Sequence, residues 1–186
     1  MQWDKEKFDW PHHELSNFID SETHTWHVQD TDELNPKKKN LPIFLFIHGA
    51  GASTHSWRLV LDQLKDNFRV ILVDLPGHGF SKLGKKNRSS LEAITQDLEF
   101  LLIKMSVNPD LVVGHSAGAA VALNLALSKK FKIQGILCLN GALGNFSGIA
   151  GLLYPLLAKF LSQRTLTVPI FTSLYSSKNQ VEKFLV

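Results

Sequence analysis

One serine stands between glycines two residues away on either side, in Gly114-His115-Ser116-Ala117-Gly118. A serine hydroxyl keeps its proton at neutral pH, so it attacks an electrophile only with a base beside it. Its surroundings suit attack: the apolar run Leu111-Val112-Val113 leads in, and the helix-like run "AGAAVALNLALSKK" leads out. A strand that turns sharply into a helix holds such a serine in a strained conformation at the C-terminal edge of a sheet. Gly114 and Gly118 leave room for strand and helix to approach closely. The helix N-terminus beside Ser116 favours negative charge on a bound oxygen. This is the pattern of a serine nucleophile for acyl transfer, the plainer reading being a serine that merely caps a helix.

Acyl transfer also needs N–H donors aimed at the developing oxyanion. "FIHGAGAS" at 46–53 ends an earlier apolar run in small residues that let backbone come close to a reacting atom. Ala50 is the expected donor there, with Gly51 the near alternative, and Ala117 the other donor. His48 and Gly49 support this loop; taken alone they read as a turn. A third stretch, "DLPGHGFS" at 74–81, holds Asp74 and His78. We read these as structural, with Asp74 tying down neighbouring backbone and the glycines making the turn.

The elements that must position these residues alternate. Residues 1–16 form a polar arm with interspersed Trp and Phe, and "SNFIDSETHTWHVQD" reads as two strands joined by a turn, the second alternating with period two. Residues 41–49 and 68–79 contain continuous apolar runs, as expected of strands buried on both faces. Apolar residues fall at helical spacing over 56–66, and 89–105 opens with Ser89 and Glu92, a capping-box pattern before an amphipathic helix. The elbow, its helix and the strand "KIQGILCLNG" complete the series. Strands separated by helices predict an α/β fold, a mostly parallel sheet with helices on both faces. The core is expected over 1–144. Residues 145–186, apolar with Pro155 and Pro169 as breaks, are expected to form partial lid helices, which could also touch a greasy ligand or a membrane surface.

Composition excludes several classes. The 186 residues are 44% hydrophobic with a net charge of +3 and a pI near 9.0, too mild and too scattered a positive charge for nucleic acid. Lys37-Lys38-Lys39 reads as a solvated loop. Cys138 is the single cysteine, so a disulfide framework is excluded, and its apolar setting predicts a buried strand residue. The N-terminus has no apolar signal core, and no apolar run reaches the roughly 18–20 residues of a membrane span. A cytoplasmic setting is expected, with no metal site and no cofactor.

"HGAGAS", "DLPGHGFS" and "GHSAG", in this order on alternating strands and helices, resemble the α/β-hydrolase fold family. "FDWPHHELSNF", "WHVQD", "HGAGASTHSWR", "VVGHSAGAAVAL" and "LNGAL" are similar to one branch of it, the magnesium-chelatase accessory proteins of bacteriochlorophyll biosynthesis. The similarity runs from about Trp10 to the region of Leu161. It implies a role beside magnesium insertion into protoporphyrin, with chelatase subunits or a tetrapyrrole intermediate as partner and a location at the periphery of a photosynthetic membrane. A shared fold leaves the reaction open, so a general serine hydrolase acting on an ester, epoxide or carbon–carbon bond is the second reading. A non-catalytic binding or scaffold protein is the third.

In this fold the nucleophile is followed by the acid and then the histidine. From Ala117 to Val186 there is no histidine and no aspartate, Glu182 is the only acidic side chain, and Asn140 stands at the next strand end. His115 adjoins Ser116 in sequence, but neighbours on a sharp turn point different ways. The chain is therefore expected to be incomplete at its C-terminus, to hold the nucleophile without its base, and to be inactive or weakly active alone.

Overall fold

The computed structural model describes residues 2–34, 41–84 and 88–143. Within them six strands form one sheet: β1 (Ser16–Asp20), β2 (Thr25–Asp30), β3 (Ile43–Ile47), β4 (Arg69–Val73), β5 (Leu111–His115) and β6 (Gly135–Leu139). Their order across the sheet is β1-β2-β4-β3-β5-β6. The β1–β2 and β2–β4 pairs are antiparallel, and the remaining pairs are parallel. The expected mostly parallel sheet is thus present, and the antiparallel hairpin forms one side of it.

Among the described residues four α-helices accompany the sheet: α1 (Trp3–Glu6), α2 (Arg58–Leu64), α3 (Leu91–Lys104) and α4 (Ala117–Leu127). Both faces of the central strands are buried because successive side chains alternate. Leu45 and Ile47 of β3 join Ile71, Val73, Leu98, Leu102, Ala122 and Leu125 in a core beneath α3 and α4. Phe46, with Val70 and Leu72, joins Trp57 and Leu61 in a second core beneath α2. Helices therefore cover both faces, as the apolar runs require.

Three expectations need correction. β2 does not alternate: every residue from Trp26 to Asp30 is buried. The N-terminal arm covers its other face, with the Trp3 ring 5.3 Å from that of His27, and the Gln29 amide donating to the carbonyls of Pro11 (2.7 Å) and His12 (2.9 Å). The cap of α3 is Ser90, not Ser89: its hydroxyl accepts from the Ala93 N–H at 3.2 Å, which puts Ala93 rather than Glu92 at the third helical position. Cys138 is only part-buried, because β6 lies at the edge of the described sheet and exposes Leu137 and Leu139 beside it. All these elements belong to the first of two units, residues 1–143. The lid expected at 145–186, the divisions at Pro155 and Pro169 and the Lys37-Lys38-Lys39 loop lie outside the described residues.

Candidate active site

β5 ends at His115 and α4 begins at Ala117, so the whole turn falls on Ser116. Its backbone sits at φ 51° and ψ −116°, a region that residues with a Cβ rarely occupy. Three main-chain hydrogen bonds hold it there. The Ser116 N–H donates to the Leu139 carbonyl at 3.0 Å, and the Ser116 carbonyl accepts from Ala119 and Ala142, each at 3.1 Å. Anchoring from the neighbouring strand end and from the helix over-determines the strained residue, the condition under which such strain persists.

The glycines are required by contact. A methyl on Gly114 would strike the Gly118 carbonyl and the Ala119 backbone, and one on Gly118 would strike the carbonyls of Ile47 and His48. Strand, helix and the end of β3 therefore close on one another without side chains between them. Gly49 abuts the elbow: a Cβ there would lie 3.0 Å from both the Ser116 Cβ and the His115 Nδ1. The loop after β3 thus comes up against the serine at Gly49. Ala52 N–H closes a turn onto the Gly49 carbonyl at 3.2 Å, and Gly51 takes φ +74° within it. Ala50 is exposed in this turn. Ala117, as the first residue of α4, has an N–H with no acceptor inside the helix.

His48 lies beneath the loop and is fully buried. A carbonyl can only accept, so its Nδ1–H donates to Gly49 at 2.7 Å, while its Nε2 accepts from the Leu75 N–H at 2.9 Å. Burial pushes its pKa below the ordinary value, against the Gly49 hydrogen bond and the charge of Asp74. Both nitrogens are committed and the ring is neutral, which makes His48 a strut rather than a base.

Asp74 is a strut as well. Its carboxylate accepts from the Thr54 N–H (2.6 Å), the Phe80 N–H (2.9 Å) and His27 Nδ1 (2.7 Å), all buried. Ser81 clasps the same place, donating to the Asp74 carbonyl at 2.6 Å and accepting from the His27 N–H at 2.8 Å. Asp74 therefore fastens the loop after β4 to the loop after β3, as the sequence reading held. His27 was missed: it is 47 residues from Asp74, and only the β2–β4 pairing brings the two together. His78 hydrogen-bonds the Pro76 carbonyl at 3.2 Å. Among the described residues no histidine makes a hydrogen bond to the Ser116 hydroxyl, His115 included, and no cluster of three or more ligating side chains suits a metal.

A strained serine at a strand-to-helix turn, set on this sheet beside a glycine loop, is the arrangement of the α/β-hydrolase fold. The chain belongs to that family, whose model, described as alpha/beta hydrolase fold, matches residues 42–180. It is 38% identical over 160 residues to the magnesium-chelatase 30 kDa subunit of Rhodobacter capsulatus, covering 86% of this chain and 54% of that subunit. Among solved structures it is similar to the lip1 protein of Acinetobacter baumannii, with a TM-score of 0.71 and 20% identity over 93% of this chain and 58% of the other. A hydrolase from Pseudomonas aeruginosa PA01 follows, with a TM-score of 0.66 and 22% identity over 85% of this chain and 58% of the other. The two structural likenesses are of fold alone. The chain spans about half the length of the chelatase subunit it matches. No helix among the described residues is long and apolar enough to cross a membrane.

Proposed function

We propose that this chain is an α/β-hydrolase-like accessory protein acting beside magnesium chelatase in bacteriochlorophyll synthesis, built around Ser116 as the nucleophile position. The backbone of Ser116, at φ 51° and ψ −116° against Gly49, carries the chemical half of this reading. Ala117 and Ala50 are the proposed oxyanion donors, with Gly51 the alternative to Ala50. The similarity to the Rhodobacter capsulatus subunit carries the biological half. His48 is held with both nitrogens engaged and no histidine follows His115, so a base for Ser116 is not supplied by these residues.

The chain alone should therefore turn over an activated ester such as p-nitrophenyl acetate weakly at best. Loss of a triad histidine lowers turnover on the order of a millionfold in a serine protease, leaving only what the oxyanion donors and binding supply. Rapid turnover that Ser116→Ala abolishes would overturn the missing-base reading. Retention of the chain by immobilised magnesium-chelatase subunits, unaffected by Ser116→Ala, would favour a binding role over hydrolysis, and failure to be retained would remove the chelatase assignment.

A further inference from the structure

His27 is a buried histidine that makes no contact with the Ser116 hydroxyl and, unlike His24, has one ring nitrogen without a partner. Its Nδ1 is committed to Asp74 at 2.7 Å, and its Nε2 is buried with no partner. Rings surround it, with centroids at 5.3 Å (Trp3), 5.3 Å (Phe18) and 5.4 Å (Phe80). The same three rings line a cavity of about 440 Å³, with Lys5, Lys82 and Asp4 also on its walls. That volume falls in the range of small-molecule sites, roughly 300–1,000 Å³. An unsatisfied buried nitrogen calls for an explanation in a folded protein, and here it stands behind a wall shared with open space.

The wall is lightly held. Trp3 belongs to a helix of four residues that contains no buried residue. Lys5 and Lys82 are exposed, and neither makes an ion pair with a carboxylate among the described residues. Aromatic walls alone would accept either a flat ring or an organic cation. Two ammonium groups against the single carboxylate of Asp4 decide against a cation and for an anion.

We infer that this cavity binds a flat aromatic acid, its ring packed against the edge-to-face pair of Trp3 and Phe18 and its acid group paired with Lys5 and Lys82. The site is distinct from the elbow: its walls come from the N-terminal arm, β1 and the loop after β4, and neither Ser116 nor Gly49 lines it. It stands or falls independently of the role given to Ser116.

Titration of the full chain with naphthoate, followed by proton–nitrogen NMR of the indole and imidazole groups, tests it. The Trp3 indole and the His27 ring should shift saturably while the Trp57 indole, in the core beneath α2, stays fixed. The double variant Lys5→Glu/Lys82→Glu, altering exposed side chains only, should weaken binding about tenfold, the scale of two surface ion pairs. Trp3→Ala should weaken it as well. Absence of saturable shifts at millimolar naphthoate, or equal affinity in the lysine double variant, would overturn the inference. Shifts confined to the His115 ring, beside Ser116, would do the same and place the ligand at the elbow.

Discussion

Ser116 and Asp74 lie at the ends of β5 and β4, and the loop between β3 and α2 connects with both. At the elbow the constraint is steric, so Gly114→Ala should force Gly118 and Ala119 of α4 away from β5. Overpacking of this kind costs about 1–3 kcal/mol. Gly51→Ala is the informative contrast: nothing lies within 4 Å of its would-be Cβ, but its φ of +74° is strained for any L side chain. It should cost about 1 kcal/mol through backbone conformation alone. At Asp74 the constraint is electrostatic. Asp74→Ala leaves the N–H groups of Thr54 and Phe80 and the Nδ1 of His27 without their acceptor in a dry interior. Each buried donor left without an acceptor costs about 1–3 kcal/mol, and three are orphaned at once. Urea unfolding of the three variants should rank them with Asp74→Ala lowest in stability. A neutral Asp74→Ala would show that water reaches the loop junction.

At the scale of elements, the helix caps and strand patterns show what local sequence can specify. The elbow was legible because Gly-x-Ser-x-Gly, an apolar run before it and a helical run after it are contiguous in the chain. The strands β3, β4 and β5 were legible for the same reason, their apolar runs being continuous where both faces are covered. β2 was misread because the covering of its second face comes from the arm, through Trp3 and Gln29, a tertiary fact that the period of its own residues does not carry. The start of α3 was misread by one residue because Ser89 and Ser90 both offer a hydroxyl and Glu92 favoured the first. Ser90→Ala should therefore destabilise the protein by about 1 kcal/mol, the usual loss of a serine cap. Ser89→Ala should change it by only a few tenths. Equal effects in thermal unfolding would argue that the two serines share the cap. The His27–Asp74 pair had no local signal at all, since β2 and the loop after β4 meet only once the sheet is assembled.

Across the whole described unit, two buried titratable groups connect folding to pH with opposite chemistry and the same sign. His48 is kept neutral in the fold, chiefly by burial, so its pKa lies below the ordinary 6.5. Below that pH the unfolded chain binds a proton that the folded chain does not, and stability falls as pH drops from 6.5 toward the folded value. Asp97 behaves as a retained anion. Burial pushes its carboxyl up, but hydrogen bonds from Arg88, His24 and Thr23 outweigh this and hold it below the ordinary 3.8. The Arg88 Nε lies 3.0 and 2.9 Å from its two oxygens, and His24 Nε2 lies 2.9 Å from Oδ2. That stabilisation is complete well above pH 3.8 and is lost as pH falls through 3.8 toward the folded value. The urea midpoint should thus decline in two stages on acidification, one beginning near pH 6.5 and one below about pH 4. His48→Asn keeps an N–H for the Gly49 carbonyl but cannot charge, so it should lower the plateau and flatten the upper stage. Asp97→Asn should flatten the lower one. A wild-type midpoint that stays level from neutral pH down to about pH 5 would mean that His48 takes a proton in place. The hydrogen bond it accepts from Leu75, and with it the tie between the loops after β3 and β4, would then not be the fixed strut described for this site.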